Sequence, residues 1–470
     1  MTGSDRPVAR GFLALGLGEA LARLLAFGAM VLAARRLGPA MYGVVGVASA
    51  LTLYLNRVVD WGLELGLGVR EVAARREDLS RALPALLTSR LLLATGLIAA
   101  SVALSLALLP APDAAVVATT TLTLTAVALG TRWAHIGLGQ TRTAALGTVT
   151  GQALFASLLV ALVHGPGDVA RVPLAQLAGD MCAALLWLLA LRRAGQALPV
   201  RLDRTVVAPL VPRGAALMAS ALLGIFIFNA GLIFLRTQRG AAAAGYYTAA
   251  YTLVTFFLNV GIAYSLALLP ELTRTRDDPA AQRRVAHTAA AQVLTLSLPI
   301  AVGGALLAGE IAGLFYGPGY GPAGRPLGIL LWTLPLCVLR DVPIMVLQAT
   351  GRESTVLRLT AGAAGLNLVL TAVLVSRYGL AGAAWAGVAT EAARLGLAYG
   401  SIRRQGLDLP PARRLWRTGL ALAAMTAAVL ALPQAMVLVR VGAGGVAYLG
   451  VLALTGAIQV RAGGRPTLAV

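Results

Sequence analysis

Apolar windows of about 20 residues, the length that crosses the hydrocarbon of a bilayer as a helix, follow one another along the chain from residue 11 to residue 459. Fourteen such spans are expected, at about 11–34, 42–69, 82–109, 114–138, 143–163, 172–191, 209–235, 244–269, 285–308, 326–347, 355–375, 380–402, 415–432 and 436–459. The breaks between them carry glycine, proline and arginine, as in Pro110-Ala111-Pro112, Gly165-Pro166-Gly167 and the glycine-rich run from Gly317 to Gly324. With 58% hydrophobic and 12% charged residues, the 470-residue chain has more apolar surface than a soluble domain can bury. The expected fold is therefore an all-α polytopic membrane protein.

The net charge of +20 would suggest nucleic acid in a soluble protein. Here its distribution gives a simpler account. All 39 basic residues are arginine; 22 fall in segments expected to be cytoplasmic, 7 in external loops and 10 within spans. That bias places both termini in the cytoplasm and excludes a nucleic-acid partner. Arg6 and Arg10 precede an apolar run that continues to Ala34 and ends at Arg35-Arg36, which reads as an uncleaved first span. The two cysteines, Cys182 and Cys337, lie in apolar segments and offer neither a disulfide framework nor a metal site.

The chain repeats itself. Arg35–Asp78 and Arg239–Asp278 align with Gly38, Gly43, Ala48 and Leu51 matching Gly240, Gly245, Ala250 and Leu253. Glu71, Arg76, Glu77 and Asp78 match Glu271, Arg276, Asp277 and Asp278 after a slip of two residues. Gly139-Gln140-Thr141-Arg142 and Gly351-Arg352-Glu353 precede spans five and eleven, and Asp180 in span six matches Glu391 in span twelve. Six spans followed by six put each pair in one orientation, so two six-helix lobes are expected, related by a pseudo-twofold along the membrane normal. The expected divisions are 1–204, 205–408 and a pair of additional spans in 409–470.

Charge inside the spans marks candidate sites, since each such group costs roughly 2.5–3.5 kcal/mol even on lenient insertion scales. Arg132, Arg213, Arg358 and Arg417 lie near span ends, where their heads can snorkel to the surface. Glu19 and Arg23 are deeper, four residues apart on one face of span one. Span two carries Asn56, Asp60 and Glu64 at i, i+4 and i+8, with Arg57 three residues before Asp60. Such a stripe must face protein or water. Two readings stand for these groups, a structural ion pair locking spans one and two or a functional site; two acids beside one arginine favour the second. Arg90 in span three and Arg340-Asp341 in span ten are further candidates, with Arg340 either facing a lumen or balancing Asp341. Glu391 has Arg394 three residues on as a plain partner. Asn229, Asn259 and Asn367 are expected to bond between helices. The three histidines are scattered, no ligand cluster has metal spacing, and a chain without lysine has no phosphate loop ending in Lys-Ser/Thr, which excludes a nucleotide-driven pump.

Several ordered segments remain: Ala34-Arg35-Arg36-Leu37-Gly38-Pro39 with Tyr42-Gly43, Asp60 to Arg75, Gly245-Tyr246-Tyr247, Leu269-Pro270-Glu271-Leu272, Phe315-Tyr316-Gly317-Pro318-Gly319-Tyr320, Leu347-Gln348-Ala349-Thr350-Gly351-Arg352, and Arg377-Tyr378-Gly379-Leu380-Ala381-Gly382. In order and spacing the chain resembles, over nearly its whole length, the oligosaccharide flippases of the multidrug/oligosaccharidyl-lipid/polysaccharide exporter superfamily. The resemblance implies a bacterial plasma-membrane carrier, not an enzyme, that moves an undecaprenyl-pyrophosphate-linked glycan to the outer leaflet by alternating access. It implies Arg23, Arg57, Arg90 and Arg340 as lumen cations, and Glu19, Asp60, Glu64, Asp180 and Glu391 as acids that couple transport or pair structurally. No cofactor or metal is implied beyond a proton or sodium gradient, and a polysaccharide polymerase is the candidate protein partner.

Three alternatives compete. A lipid II flippase of peptidoglycan synthesis also has fourteen spans. A drug/cation antiporter would have a lumen of acids and aromatics, whereas aromatics here are only 6%. A membrane glycan polymerase or ligase would need a sizeable external loop with catalytic basic residues, and the longest expected loop, 309–325, holds one arginine and no histidine.

Overall fold

The computed structural model describes residues 5–74, 79–196, 199–275, 277–403, 415–461 and 465–468. Its helices are α1 (Asp5–Asp60), α2 (Gly68–Ala74), α3 (Leu79–Leu108), α4 (Ala111–Thr121), α5 (Thr123–Leu129), α6 (Arg132–Gly137), α7 (Thr141–Leu162), α8 (Arg171–Arg193) and α9 (Arg204–Val207). They continue as α10 (Leu210–Arg239), α11 (Ala241–Arg274), α12 (Pro279–Leu306), α13 (Ala308–Tyr316), α14 (Gly324–Leu330), α15 (Thr333–Ala349), α16 (Glu353–Arg403), α17 (Trp416–Leu430) and α18 (Val437–Leu454). A short antiparallel hairpin, Ile458–Arg461 with Arg465–Leu468, follows. Among the described residues, 11 helical stretches are long and apolar enough to cross a membrane. Two of them, α1 and α16, bend sharply at Gly38 and Gly379 and so hold two segments each, and α17 is a shorter apolar helix. This is a multi-pass membrane protein, compatible with fourteen crossings.

The bends show how the repeat is built. Gly38 (φ 71°, ψ 170°) ends the first segment of α1, and its repeat mate Gly240 (φ 87°, ψ −179°) precedes α11. That backbone region is open essentially to glycine alone. The second matched pair, Gly139 and Gly351, also has positive φ.

The chain divides into two compact units, residues 1–229 with 241–245, and residues 230–240 with 246–470. In the first, α1, α4, α7 and α8 meet around Ala33, Leu37, Val45, Ala48, Phe155 and Leu159. Lipid is as apolar as these side chains, so close backbone approach and dispersion hold such helices together. Accordingly α7 and α8 touch at Gly151 and Gly179, where a Cβ on Gly151 would lie 2.7 Å from the Gly179 carbonyl oxygen. In the second unit, α17 and α18 pack through Ala421, Met425, Tyr448 and Leu452. Polar bonds fix them to α12: the Thr295 and Thr418 hydroxyls lie 2.8 Å apart, and Tyr448 donates to the Thr295 carbonyl at 2.6 Å. Arg440 of α18 pairs with Glu310 of α13.

Candidate functional site

The polar stripe of span two sits where that span breaks. α1 ends at Asp60; Trp61 has φ 52° and Gly62 φ 81°, and a π-helical turn, Leu63–Leu67, leads into α2. The Asp60 carboxylate caps the new turn by accepting the Glu64 N–H at 3.0 Å. The Trp61 indole donates to the Val211 carbonyl of α10 at 3.1 Å, against Gly214, where a Cβ would stand 2.3 Å from the ring.

A broken helix exposes carbonyls, and hydrocarbon supplies no water to satisfy them. Arg90 of α3 does so. It donates to Val59 at 3.3 Å from one break, and to Gly130 at 2.8 Å and Val127 at 2.6 Å from the other, between α5 and α6. Asp60 lies 3.7 Å from the same guanidinium. At 5% exposure and with its donors so engaged, Arg90 braces two helix ends. Its hydrogen bonds all go to backbone carbonyls, where the sequence reading expected a lumen cation.

Four other groups form an alternating chain. Arg23 pairs with Glu19 at 3.1 Å; the second Glu19 oxygen accepts from Arg132 at 3.0 Å, and Arg132 reaches Glu64 at 3.4 Å. Spans one, two and four thus meet in one ion network. Side-chain exposures of 26% for Arg132 and 27% for Glu64 keep it reachable. The expectation that Arg132 snorkels to the surface is corrected here: two carboxylates from distant segments hold its head inside the first unit. An arginine in an apolar span with no acid of its own, in a chain with spare acids in two other spans, was the signal. Arg57 is half-buried, and its guanidinium makes no hydrogen bond or ion pair among the described residues. Arg23 Nη1, Asn56 Oδ1 and Arg132 Nε are likewise buried atoms without a partner there.

The second unit holds a separate, balanced network. Arg340 of α15 lies between Glu391 of α16 and Asp341, the latter at 2.7 Å, and Arg394 takes the other Glu391 oxygen at 2.7 Å. Glu391 is 1% exposed. Arg340 therefore balances acids rather than standing free. Asp180, the repeat mate of Glu391, has different surroundings: half-buried on α8, it accepts from Gln176 at 2.7 Å and has no arginine partner among the described residues. The second copy of the opening repeat replaces charge by neutral groups, with Tyr264 donating to Gln292 at 2.6 Å.

Smaller expectations resolve as follows. Asn367 bonds to Thr390 across the bend of α16, as expected of a residue joining helical segments. Asn229 instead donates to Ile225 of its own helix. Arg213 pairs with Glu71 and Glu271 with Arg274, both at exposed arginines; Asp278 caps α12 by accepting the Ala281 N–H at 3.0 Å, and residues 75–78 and 276 of the matched segments lie outside the described residues. Buried His135 is fixed by Gln140 and the Trp187 carbonyl. No group of metal-ligating side chains occurs among the described residues.

A family profile described as polysaccharide biosynthesis protein matches residues 8–276, more than half of the chain. The chain belongs to this family. The matched region contains the whole first unit's polar network, and the membership agrees with the resemblance carried by the ordered motifs. No curated protein matches the chain in sequence. Among solved structures, the lipid II flippase MurJ in an inward closed conformation is similar with a TM-score of 0.78 at 12% identity, covering 94% of this chain and 98% of that one. An inward-facing multidrug resistance MATE family transporter gives 0.64 at 16% identity, over 84% and 97%. A transporter from Pyrococcus furiosus of the same superfamily gives 0.53 at 14%, over 84% and 95%. At these identities the likeness establishes the shared fold.

Proposed function

We propose that this protein is a carrier, not an enzyme, that moves an undecaprenyl-pyrophosphate-linked oligosaccharide from the inner to the outer leaflet of the bacterial plasma membrane by alternating access. The observation that carries the reading is Arg57, a half-buried cation without a carboxylate among the described residues, in the same unit as the accessible Arg23–Glu19–Arg132–Glu64 chain. A guanidinium matches the paired oxygens of a phosphate, and a site poor in water strengthens the attraction. Membership of the polysaccharide biosynthesis family points to the glycan branch. The arginine bias supports cytoplasmic termini, and a polysaccharide polymerase is the partner that would consume the exported unit. The coupling acid in this reading is Asp180, which has no arginine partner among the described residues.

Lipid II transport is the second reading. Lipid II also presents a pyrophosphate, and the likeness to MurJ extends over 94% of this chain. Export of a lipid-linked glycan in cells carrying Arg57→Gln or Arg23→Gln tests the first reading. Export should be abolished at a normal membrane level of the protein, with lysine rescuing only in part. Unchanged export would remove the site assignment. Growth of cells depleted of their lipid II flippase, restored by this chain, would favour the second reading.

A further inference from the structure

Span two carries two acids, yet its own arginine pairs with neither. Asp60, three residues after Arg57, is held by Arg90 from α3; Glu64 is held by Arg132 from α6, which also takes one oxygen of Glu19. Across these elements four arginines, Arg23, Arg57, Arg90 and Arg132, face three carboxylates, Glu19, Asp60 and Glu64, so one positive charge is in excess. Of the four, Arg57 is the one without a carboxylate partner among the described residues.

We infer that Arg132 is a positioning residue for anion recognition: it neutralises Glu19 and Glu64 and so keeps Arg23 and Arg57 available to a pyrophosphate. The inference rests on the pyrophosphate reading of this site. Its physical content is competition. A carboxylate and a phosphate oxygen seek the same guanidinium face, so an acid left without a partner takes the cation the substrate needs and repels the substrate as well. Arg132 removes both effects at once, because its two terminal nitrogens reach one oxygen of each glutamate. Without it, both Glu19 oxygens are free for Arg23, whose Nη1 has no protein acceptor. The Glu64 charge would then stand uncompensated.

A mere brace and a charge-setting group make opposite predictions. If Arg132 only ties three spans together, removing Glu64 as well adds to the damage. If it sets the charge, removing Glu64 repairs it, since Arg132→Gln cancels the excess positive charge and Arg132→Gln with Glu64→Gln restores it. By the same logic Glu64→Gln alone strengthens anion binding.

The experiment is binding of undecaprenyl pyrophosphate to the purified full-length protein in detergent, with undecaprenol as the uncharged control. Arg132→Gln should weaken binding roughly tenfold, the order expected of one charge about 12 Å away at an effective dielectric of about 20. The double variant should return to within about twofold of the parent, and Glu64→Gln should bind several-fold tighter. Arg132→Gln binding as well as the parent, or a double variant as weak as Arg132→Gln, would overturn the inference while leaving the pyrophosphate site standing, which Arg57→Gln tests separately. If Arg132→Gln is not recovered folded, Glu64→Gln decides alone: tighter binding supports the inference, and equal or weaker binding overturns it. A parent protein that binds undecaprenol equally well removes the pyrophosphate reading itself, and the inference with it.

Discussion

Arg90 stands 3.7 Å from Asp60 while its hydrogen bonds go to the carbonyls of Val59, Val127 and Gly130. One guanidinium thus closes two helix breaks and balances the acid at one of them. Arg90→Gln should cost about 3–5 kcal/mol, the usual penalty for breaking a buried ion pair; the Gly130 and Val127 carbonyls keep the Trp133 indole and the Gly130 N–H as donors, so the lost bond to Val59 is the main addition. Lysine should not rescue, because one ammonium cannot follow three diverging carbonyls. The fraction of monodisperse protein surviving heating measures this. An Arg90→Gln protein as stable as the parent but unable to export would return Arg90 to the substrate-binding set.

Asp180 and Glu391 occupy matching repeat positions but should respond differently to neutralisation. Glu391→Gln leaves buried Arg340 and half-buried Arg394 with Asp341 as the remaining acid of the network, and should lower thermal stability by several kcal/mol, on the order of 3–5. Asp180→Asn removes no ion pair among the described residues, and its amide can keep the bond from Gln176. That variant should fold normally and export glycan without dependence on the ion gradient, assayed by adding an ionophore. Export that remains ionophore-sensitive would reassign Asp180 to structural hydrogen bonding.

The membrane class and the repeat are legible in the sequence because apolar window length and motif spacing report directly on local structure. Arg394 beside Glu391 is legible for the same reason, being one helical turn away. Arg132 is not: its partners are 113 and 68 residues distant, and nothing local distinguishes it from a snorkelling arginine. The bracing contacts of Arg90 are hidden for a different reason. Its role depends on carbonyls freed at Asp60 and Gly130, and only Trp61-Gly62 and Gly130-Thr131 hint at breaks inside otherwise continuous apolar runs. Asn229 fails as an interhelical residue because its own helix, through Ile225, satisfies it first.

Gly38→Ala should destabilise the first unit by roughly 1–3 kcal/mol although the site has room for a methyl group. No heavy atom lies within 4 Å of a Cβ placed there, so the cost is purely conformational. At φ 71° and ψ 170° asparagine, which tolerates left-handed helical geometry, should fare no better than alanine. Comparing the melting temperatures of the two variants isolates this: an unperturbed alanine variant would mean the bend relaxes to negative φ.

Acid should loosen the segment that joins α8 to α10. There the hydrogen bond from Arg81, at 2.8 Å, and those from Thr205 hold the Asp203 carboxyl well below the usual carboxylate range. Because the folded value is depressed, this contribution is complete above the ordinary aspartate value near 4 and fades as pH falls toward the folded one. Melting temperature measured from about pH 6 down to pH 3 should therefore drop more steeply for the parent than for Asp203→Asn, which cannot titrate there. Arg81→Gln should flatten the curve in the same way, since it removes the largest cause of the shift. Parallel curves for parent and Asp203→Asn would mean the segment carries none of the acid sensitivity.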